Sequence, residues 1–532
     1  MKRDNNSPCS RCSYYYLAML IMLIVPSSLP AQNHPAPDLS FIILQLNDIY
    51  EIAPLRGSDE GGLARVATIR KQLLRENPNT ITMLAGDFVS PSLIGTLPYR
   101  DAVTMQDQKI AGRHMVDVLN KMGLDYATFG NHEFDIKMSE LQQRINESSF
   151  TWVNSNVLRR TPSNELSAFV KIRNGQADSI MSFSIHTMRF PGGQSLRLGI
   201  IGATIPFNKA DSIAYSDQYE SFIKTYQAIR SECDVIVGLT HLARDMDSLL
   251  AAKLPGLDLI IGGHEHTNMK FAVGHPVICK ADANDKSVYI HRITFSPATQ
   301  KVTIQSELKM VDKTVPSDES VNERVKYWGS LADTILMKMG YHPNEVLFTA
   351  TTPLDGRERS IRNSKTNYTR MIADALWYAD TTVDVALYNS GSLRVDDELM
   401  GDVTEYDVLR SLPFGGPMVV MNLKGDVLEN MLNIGTEKNK NEGGYLQVRN
   451  AVIAGKDKFG KDKWIINGGV AQDHLTYKVL MPEYVAMGNE RNLEFLRHFD
   501  YCKPSSFQNT RIKNDIRDLL IAYLKGGVKQ TY

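Results

Sequence analysis

Along the first half of the chain, short apolar runs alternate with longer stretches in which apolar positions recur at helical spacing. Phe41–Leu46, Thr80–Leu84, Leu196–Ile201, Asp234–Leu239 and Asp258–Ile261 are brief and often β-branched, the pattern expected of buried strands. Between them, Leu63–Arg75, Met115–Met122, Met138–Ile145 and Ser221–Arg230 carry helical periodicity. This alternation predicts an α/β layered domain whose site lies at the strand ends, where loops gather. Residues 315–340 read as a helix capped by Ser317 or Ser320, with acidic residues in its first turn and Gly340 as its stop. It is expected to link a domain over 37–314 to a second α/β unit over 341–532. In that unit a helix is expected near Tyr368–Tyr378, a strand near Val383–Tyr388 and a helix near Gly425–Leu432.

Length agrees with this division, because single cores stop growing at roughly 250–300 residues and the chain has 532. Lys and Arg number 59 against 60 Asp and Glu, so no global charge draws the protein toward a nucleic acid polymer. The N-terminus differs from the rest. Lys2 and Arg3 precede the apolar run Leu17–Val25, and Pro26 and small residues up to Ala31 follow it. Residues 1–31 therefore read as a signal peptide, which makes the protein an exported one, periplasmic or extracellular, without a stable membrane anchor. Outside that segment only Cys233, Cys279 and Cys502 remain, too few and too widely spaced for a disulfide framework.

The chemistry is concentrated in five segments, each just after an expected strand: Asn47-Asp48-Ile49-Tyr50, Gly86-Asp87, Gly130-Asn131-His132-Glu133-Phe134-Asp135, Thr240-His241 and Gly262-Gly263-His264-Glu265-His266. Singly, a histidine at a strand end is more often structural than a ligand, and Gly-Asp after a strand is usually a turn. Together they supply carboxylate, amide oxygen and imidazole, the donors accepted by two divalent ions drawn from Zn, Mn, Fe or Co. A pair of such ions, bridged by one carboxylate, suits in-line displacement at phosphorus.

These segments resemble the metallophosphoesterase signature, and the second half resembles the 5'-nucleotidase C-terminal domain through Asn389-Ser-Gly391-Ser-Leu-Arg394, Leu412-Pro-Phe-Gly415, Lys424-Gly425 and Gly443-Gly-Tyr-Leu-Gln-Val448. The resemblance implies a four-layered metallophosphoesterase β-sandwich flanked by helices, joined to an α/β substrate-binding domain. It implies Asp87 as the bridging carboxylate, Asp48 and His266 on one metal, and Asn131, His241 and His264 on the other. His132, paired with Asp135, would stabilise charge on the phosphate or leaving group. Arg394, Arg362, Asn367, Asn389, Gly391 and Tyr445 would contact a nucleotide substrate.

Two departures from the family pattern stand out. Tyr50 occupies the position where the family has the histidine of Asp-x-His, so it is either a phenolate ligand, a weak metal position or a core tyrosine. Met487-Gly-Asn-Glu-Arg-Asn492 stands where the family has Gly-Gly-Asp-Gly-aromatic, so Tyr445 lacks its stacking partner unless Phe495 or Tyr484 substitutes. The expected activity is hydrolysis of nucleoside 5'-phosphates. The alternatives are a phosphodiesterase or pyrophosphatase acting on cyclic nucleotides or nucleotide sugars, and a catalytically weakened binding protein on the same scaffold.

Overall fold

The structure, a computed structural model, describes residues 37–54, 59–100, 107–161, 163–207, 211–458, 460–504 and 513–526. The expected signal peptide, residues 1–31, lies outside the described residues. Two six-stranded sheets form the centre of the first domain. In one, the order is Lys301–Met310, Ser287–Ser296, Leu39–Leu46, Thr80–Leu84, Tyr126–Ala127 and Thr151–Trp152. In the other it is Phe183–Arg189, Ser195–Thr204, Val235–His241, Leu259–Gly262, Val277–Lys280 and Met269–Ala272.

The strand Leu39–Leu46 shows why the sheets stack. Phe41 and Ile43 point into a buried layer with Leu198, Ile200, Val237, Leu239 and Ile261 of the second sheet. Ile42, Leu44 and Leu46 point the other way, toward helical residues Leu63, Val66 and Leu119. A strand with apolar residues on both faces requires a layer on each. On the far side of the second sheet, Ile201, Ile236 and Ile260 pack on Phe222, Tyr226 and Leu250 of the helices Gln218–Ile229 and Arg244–Lys253. The order helix, sheet, sheet, helix is the four-layered sandwich implied by the resemblance.

A five-stranded sheet organises the second domain, in the order Leu446–Arg449, Val385–Asn389, Thr476–Pro482, Met418–Lys424 and Tyr501–Cys502. Ala386, Tyr388 and Leu480 face the helices Asn367–Ala379 and Ile516–Lys525, while Val385, Leu387 and Val479 face the helix Gly425–Asn433. The connecting helix runs Glu319–Met339 and stops at left-handed Gly340, but neither expected serine caps it. Asp318 does: its Oδ1 accepts the N–H of Val321 at 3.2 Å, and Ser320 donates to that carboxylate instead. This helix is packed along much of its length, burying Val321, Val325, Trp328, Ala332 and Leu336, and Asp117 accepts from Trp328 Nε1 at 2.7 Å. The three cysteines among the described residues are free thiols, Cys233 and Cys279 buried and Cys502 exposed. Among the described residues, no helix is long and apolar enough to cross a membrane.

Candidate active site

All five ligand-bearing segments leave strands at their carboxyl ends. Leu39–Leu46, Thr80–Leu84 and Tyr126–Ala127 are parallel in one sheet, and Val235–His241 and Leu259–Gly262 in the other, so the two sets of loops converge across one rim of the sandwich. The backbone there is tight. Asp48, Asp87, His264 and His266 have φ of 53°, 56°, 90° and 58°, a region that non-glycine residues rarely occupy. A Cβ on Gly130 would lie 2.0 Å from Asp87 Oδ1, and one on Gly263 would lie 2.5 Å from the Ala85 carbonyl, so both positions require glycine.

The side chains form one buried cluster. His241 Nε2 is 3.2 Å from Asp87 Oδ2, and His266 Nε2 is 3.4 Å from Asp48 Oδ1. Asp48, Asp87 and His266 each bring a ligand atom within 4.8 Å of the others. Tyr50 touches this group: its hydroxyl donates to Asp87 Oδ2 at 3.2 Å and lies 2.9 Å from His266 Nε2, and the side chain is buried. Asp48 Oδ1 and His241 Nε2 are buried without a hydrogen-bond partner. Burying such polar atoms unpaired is costly, and an oxygen and an imidazole nitrogen facing one space are the donors that Zn, Mn, Fe or Co accept. The residues present therefore fit a divalent metal centre.

Electrostatics reinforce the grouping. Burial opposes ionisation of Asp87, but His241 and His132 outweigh it and hold the carboxyl far below its usual range. Asp48 is likewise held low by His241 and His266 against burial. Against the same burial, Asp87 and Asp48 raise His241 to about 9, and Asp396 raises His266 to about 10. His264 goes the other way, to about 3, through burial and the nearby His241. Burial, then the charges of Asp87 and Asp48, push the Tyr50 phenol well above its ordinary value.

Beside the cluster opens a cleft of about 320 Å³ lined by Asp87, Asn131, His132, His264, His266 and, from the second domain, Glu358, Arg362 and Asn441, among others. His132 Nδ1 lies 2.6 Å from Asp135 Oδ2, and Arg394 Nη2 lies 2.8 Å from His132 Nε2. Arg362 pairs with Glu358; burial and the neighbouring Arg394 lower it to about 10.

The remaining expected contacts lie elsewhere. Asn367 does not line the cleft; its amide accepts from the Asp355 N–H at 2.9 Å and donates to the Pro353 carbonyl at 2.8 Å, tying a strand end to a helix start. Asn389 donates to Glu490 at 2.8 Å and accepts from Ser392 at 2.7 Å, and the Gly391 N–H donates to the Gly443 carbonyl at 2.7 Å. Tyr445 is only 8% exposed, and Asn492 donates to Asn439, so a second ring does not face Tyr445 from that position.

Two supporting residues outside the expected ligand set, Glu133 and Lys280, carry much of this geometry. The Glu133 carboxylate accepts the N–H groups of Asp87, Phe88, Val89 and Gly130, bracing the loop that carries Asp87. Burial and Asp87 raise it to about 7. Lys280, almost fully buried, lies 2.9 Å from Asp247 and donates to the Gly263 carbonyl at 2.8 Å, pinning the loop of His264 and His266. Glu133 at least lies inside one of the five segments, where a carboxylate among ligands is a signal; Lys280 closes a strand and carries no local signal.

Comparison with known proteins gives the same grouping. The family described as calcineurin-like phosphoesterase matches residues 41–268, and that described as 5'-nucleotidase, C-terminal domain matches 346–498. A trifunctional nucleotide phosphoesterase protein YfkN from Bacillus subtilis is 27% identical over 72% of this chain, which spans only 27% of that protein's length. The 5'-nucleotidase of Mus musculus is 23% identical, with 88% of this chain and 86% of that protein aligned. Among solved structures, a 5'-nucleotidase precursor from Thermus thermophilus shares the fold, with a TM-score of 0.70 at 21% identity over 92% of this chain and 96% of that one. With the two domains matched in order and the four-layered sandwich in place, the chain belongs to the 5'-nucleotidase family of phosphoesterase hydrolases, a calcineurin-like phosphoesterase domain followed by a 5'-nucleotidase C-terminal domain.

Proposed function

We propose that the protein is an exported enzyme that hydrolyses nucleoside 5'-phosphates to nucleoside and phosphate. The observation that carries this reading is the convergence of two kinds of group on one cleft: a buried carboxylate and imidazole cluster, and the pair His132 and Arg394 beside it. Asp87 would bridge two divalent ions, with Asp48, His266 and Tyr50 holding the first and Asn131, His241 and His264 the second. When bound, such a pair supplies an activated water and neutralises the oxyanions of in-line displacement.

The chain's own residues account for the rest. Asp135 holds His132 through Nδ1 and Arg394 lies 2.8 Å from its Nε2, so a phosphate or leaving-group oxygen carrying developing charge would enter between the imidazole and the guanidinium. Arg362 lines the cleft and Arg394 touches the cleft residue His132, so the second domain brings guanidinium groups suited to hydrogen bonds with a phosphate. Export rests on the expected signal peptide over residues 1–31.

A second reading is favoured by the base side. Because Tyr445 is largely covered and Asn492 stands where an aromatic is expected, binding of a free nucleobase gains little from stacking, and phosphodiesters or pyrophosphates of cyclic nucleotides and nucleotide sugars become competing substrates. Phosphate release from nucleoside monophosphates, p-nitrophenol release from bis(p-nitrophenyl) phosphate and UMP formation from UDP-glucose, measured alongside bound metal, test both. Fastest turnover of a nucleoside monophosphate supports the first; turnover of only the diester or the nucleotide sugar overturns it.

A further inference from the structure

The segment Arg394–Asp397 crosses from the second domain to the first, and each of its charged residues except one meets the metal-ligand loops directly. Arg394 reaches His132, and Asp396 Oδ2 accepts the hydrogen bond from His266 Nδ1. The exception, Asp397, pairs with Lys286 at 2.8 Å, away from the cluster. Asp396 adopts a φ of 40°, left-handed for a residue with a side chain, and its second oxygen accepts the Glu358 N–H. Such a conformation persists where its surroundings over-determine it. Here two hydrogen bonds from different elements hold one carboxylate, and one of them comes from a candidate metal ligand.

We infer that Asp396 is the positioning residue for His266, so that the first metal position is complete only while the second domain is seated on the first. The inference rests on the proposed metal centre. With Nδ1 directed at Asp396, Nε2 faces Asp48 Oδ1, 3.4 Å away, and the Tyr50 hydroxyl, 2.9 Å away, where a bound metal would displace its proton and take the lone pair. Glu358 Oε2 is also near Nδ1, at 3.7 Å, but lies beyond hydrogen-bond distance, and the other oxygen of that carboxylate pairs with Arg362. A carboxylate behind a ligating imidazole fixes its ring and makes it a stronger donor. This support matters more where Tyr50 replaces the imidazole expected on the same metal, because a neutral phenol is the weaker ligand.

The test is titration of the metal-stripped full-length chain with Mn²⁺ and with Zn²⁺, reading the number of ions bound and the affinity of each. Wild type is expected to bind two. Asp396→Ala should weaken one of the two by about 10–100-fold and spare the other. Asp396→Asn keeps the shape but has one acceptor for two donors, so it should lose part of that affinity; if the alanine variant does not fold, the asparagine variant decides. Asp397→Asn, which removes the neighbouring cross-domain ion pair, should bind both ions as wild type does. Unchanged affinities in both Asp396 variants, or equal weakening by Asp397→Asn, would overturn the role of Asp396. A third ion lost on replacing Asp396 would overturn it too, by making Asp396 a ligand. A wild-type chain that binds no metal at all would instead overturn the proposed metal centre.

Discussion

The two sides of the cleft are built differently. On the side of the first domain, buried bonds hold the segments that carry the candidate ligands: Glu133 beneath Asp87, Lys280 beneath His264 and His266, the Ala85 carbonyl behind His241 at the end of its strand. On the side of the second domain, the polar groups near the expected base position are occupied within that domain, Asn389 with Glu490 and Asn492 with Asn439. Arg394 and Asp396 reach across to hydrogen-bond the loops of the first domain's candidate site. The difference suggests a separation of duties: the first domain fixes the reacting centre to within a narrow geometry, while the second supplies charge to it and leaves the leaving group loosely specified.

The sharpest way to break this comparison is at Asp87. Asp87→Asn should lose both metals and abolish turnover, exceeding any other single ligand change in metal loss per chain; an equal loss in His266→Ala would count against bridging. His132→Ala should lower kcat by ~10²–10⁴-fold with metal content unchanged, because its ring is placed on the substrate side of the cluster. Metal loss in that variant would move His132 among the ligands.

Acid should act on the first domain through His114 and His291, each lowered to about 3, by burial first and then by Arg144 and Lys270 respectively. The unfolded chain takes up these protons near pH 6.5 and the folded chain only near 3, so stability is fully present above the upper value and falls as pH drops through that window. Each fully buried histidine contributes a slope of about 1.4 kcal/mol per pH unit there, and urea midpoints measured against pH should flatten in His291→Gln. At Tyr50, replacement by His should strengthen Zn²⁺ or Mn²⁺ binding by roughly tenfold, about 1.4 kcal/mol. No change in affinity or metal preference would remove Tyr50 from the centre. The smallest effect is expected at Tyr445: Tyr445→Ala should raise KM for AMP by less than about tenfold, the range of one aromatic pair, and leave KM for p-nitrophenyl phosphate unaltered.

What the sequence can reveal follows the same division. The strand Thr80–Leu84 is legible to its ends, and the helices Leu63–Glu76, Arg113–Met122 and Asn367–Ala379 to within two residues, because periodicity is a local property. The convergence of Asp48, Asp87, His241 and His266 is legible because each ligand directly follows an apolar strand. The cap of the connecting helix is not, since two serines flank Asp318 and only the fold shows that the carboxylate is the better acceptor. Asn367 departs from its expected role because its amide serves a strand end 12 residues away. Asp396 carries no signal although it lies two residues beyond Arg394, since its partner His266 is 130 positions distant and nothing in a single chain pairs them.

The connecting helix Glu319–Met339 has a practical consequence for anyone who would divide the protein. Its buried face belongs to an apolar cluster that continues from Leu46 and Val66 through Trp328 and Leu336 to Leu354, Met371 and Leu520. A cut at Gly340 would strip that cluster from both fragments and leave oily surfaces of the kind that drive aggregation. Heating the intact chain should accordingly give one calorimetric peak in place of two, and a phosphate analogue that occupies the cleft should raise the melting of both halves together.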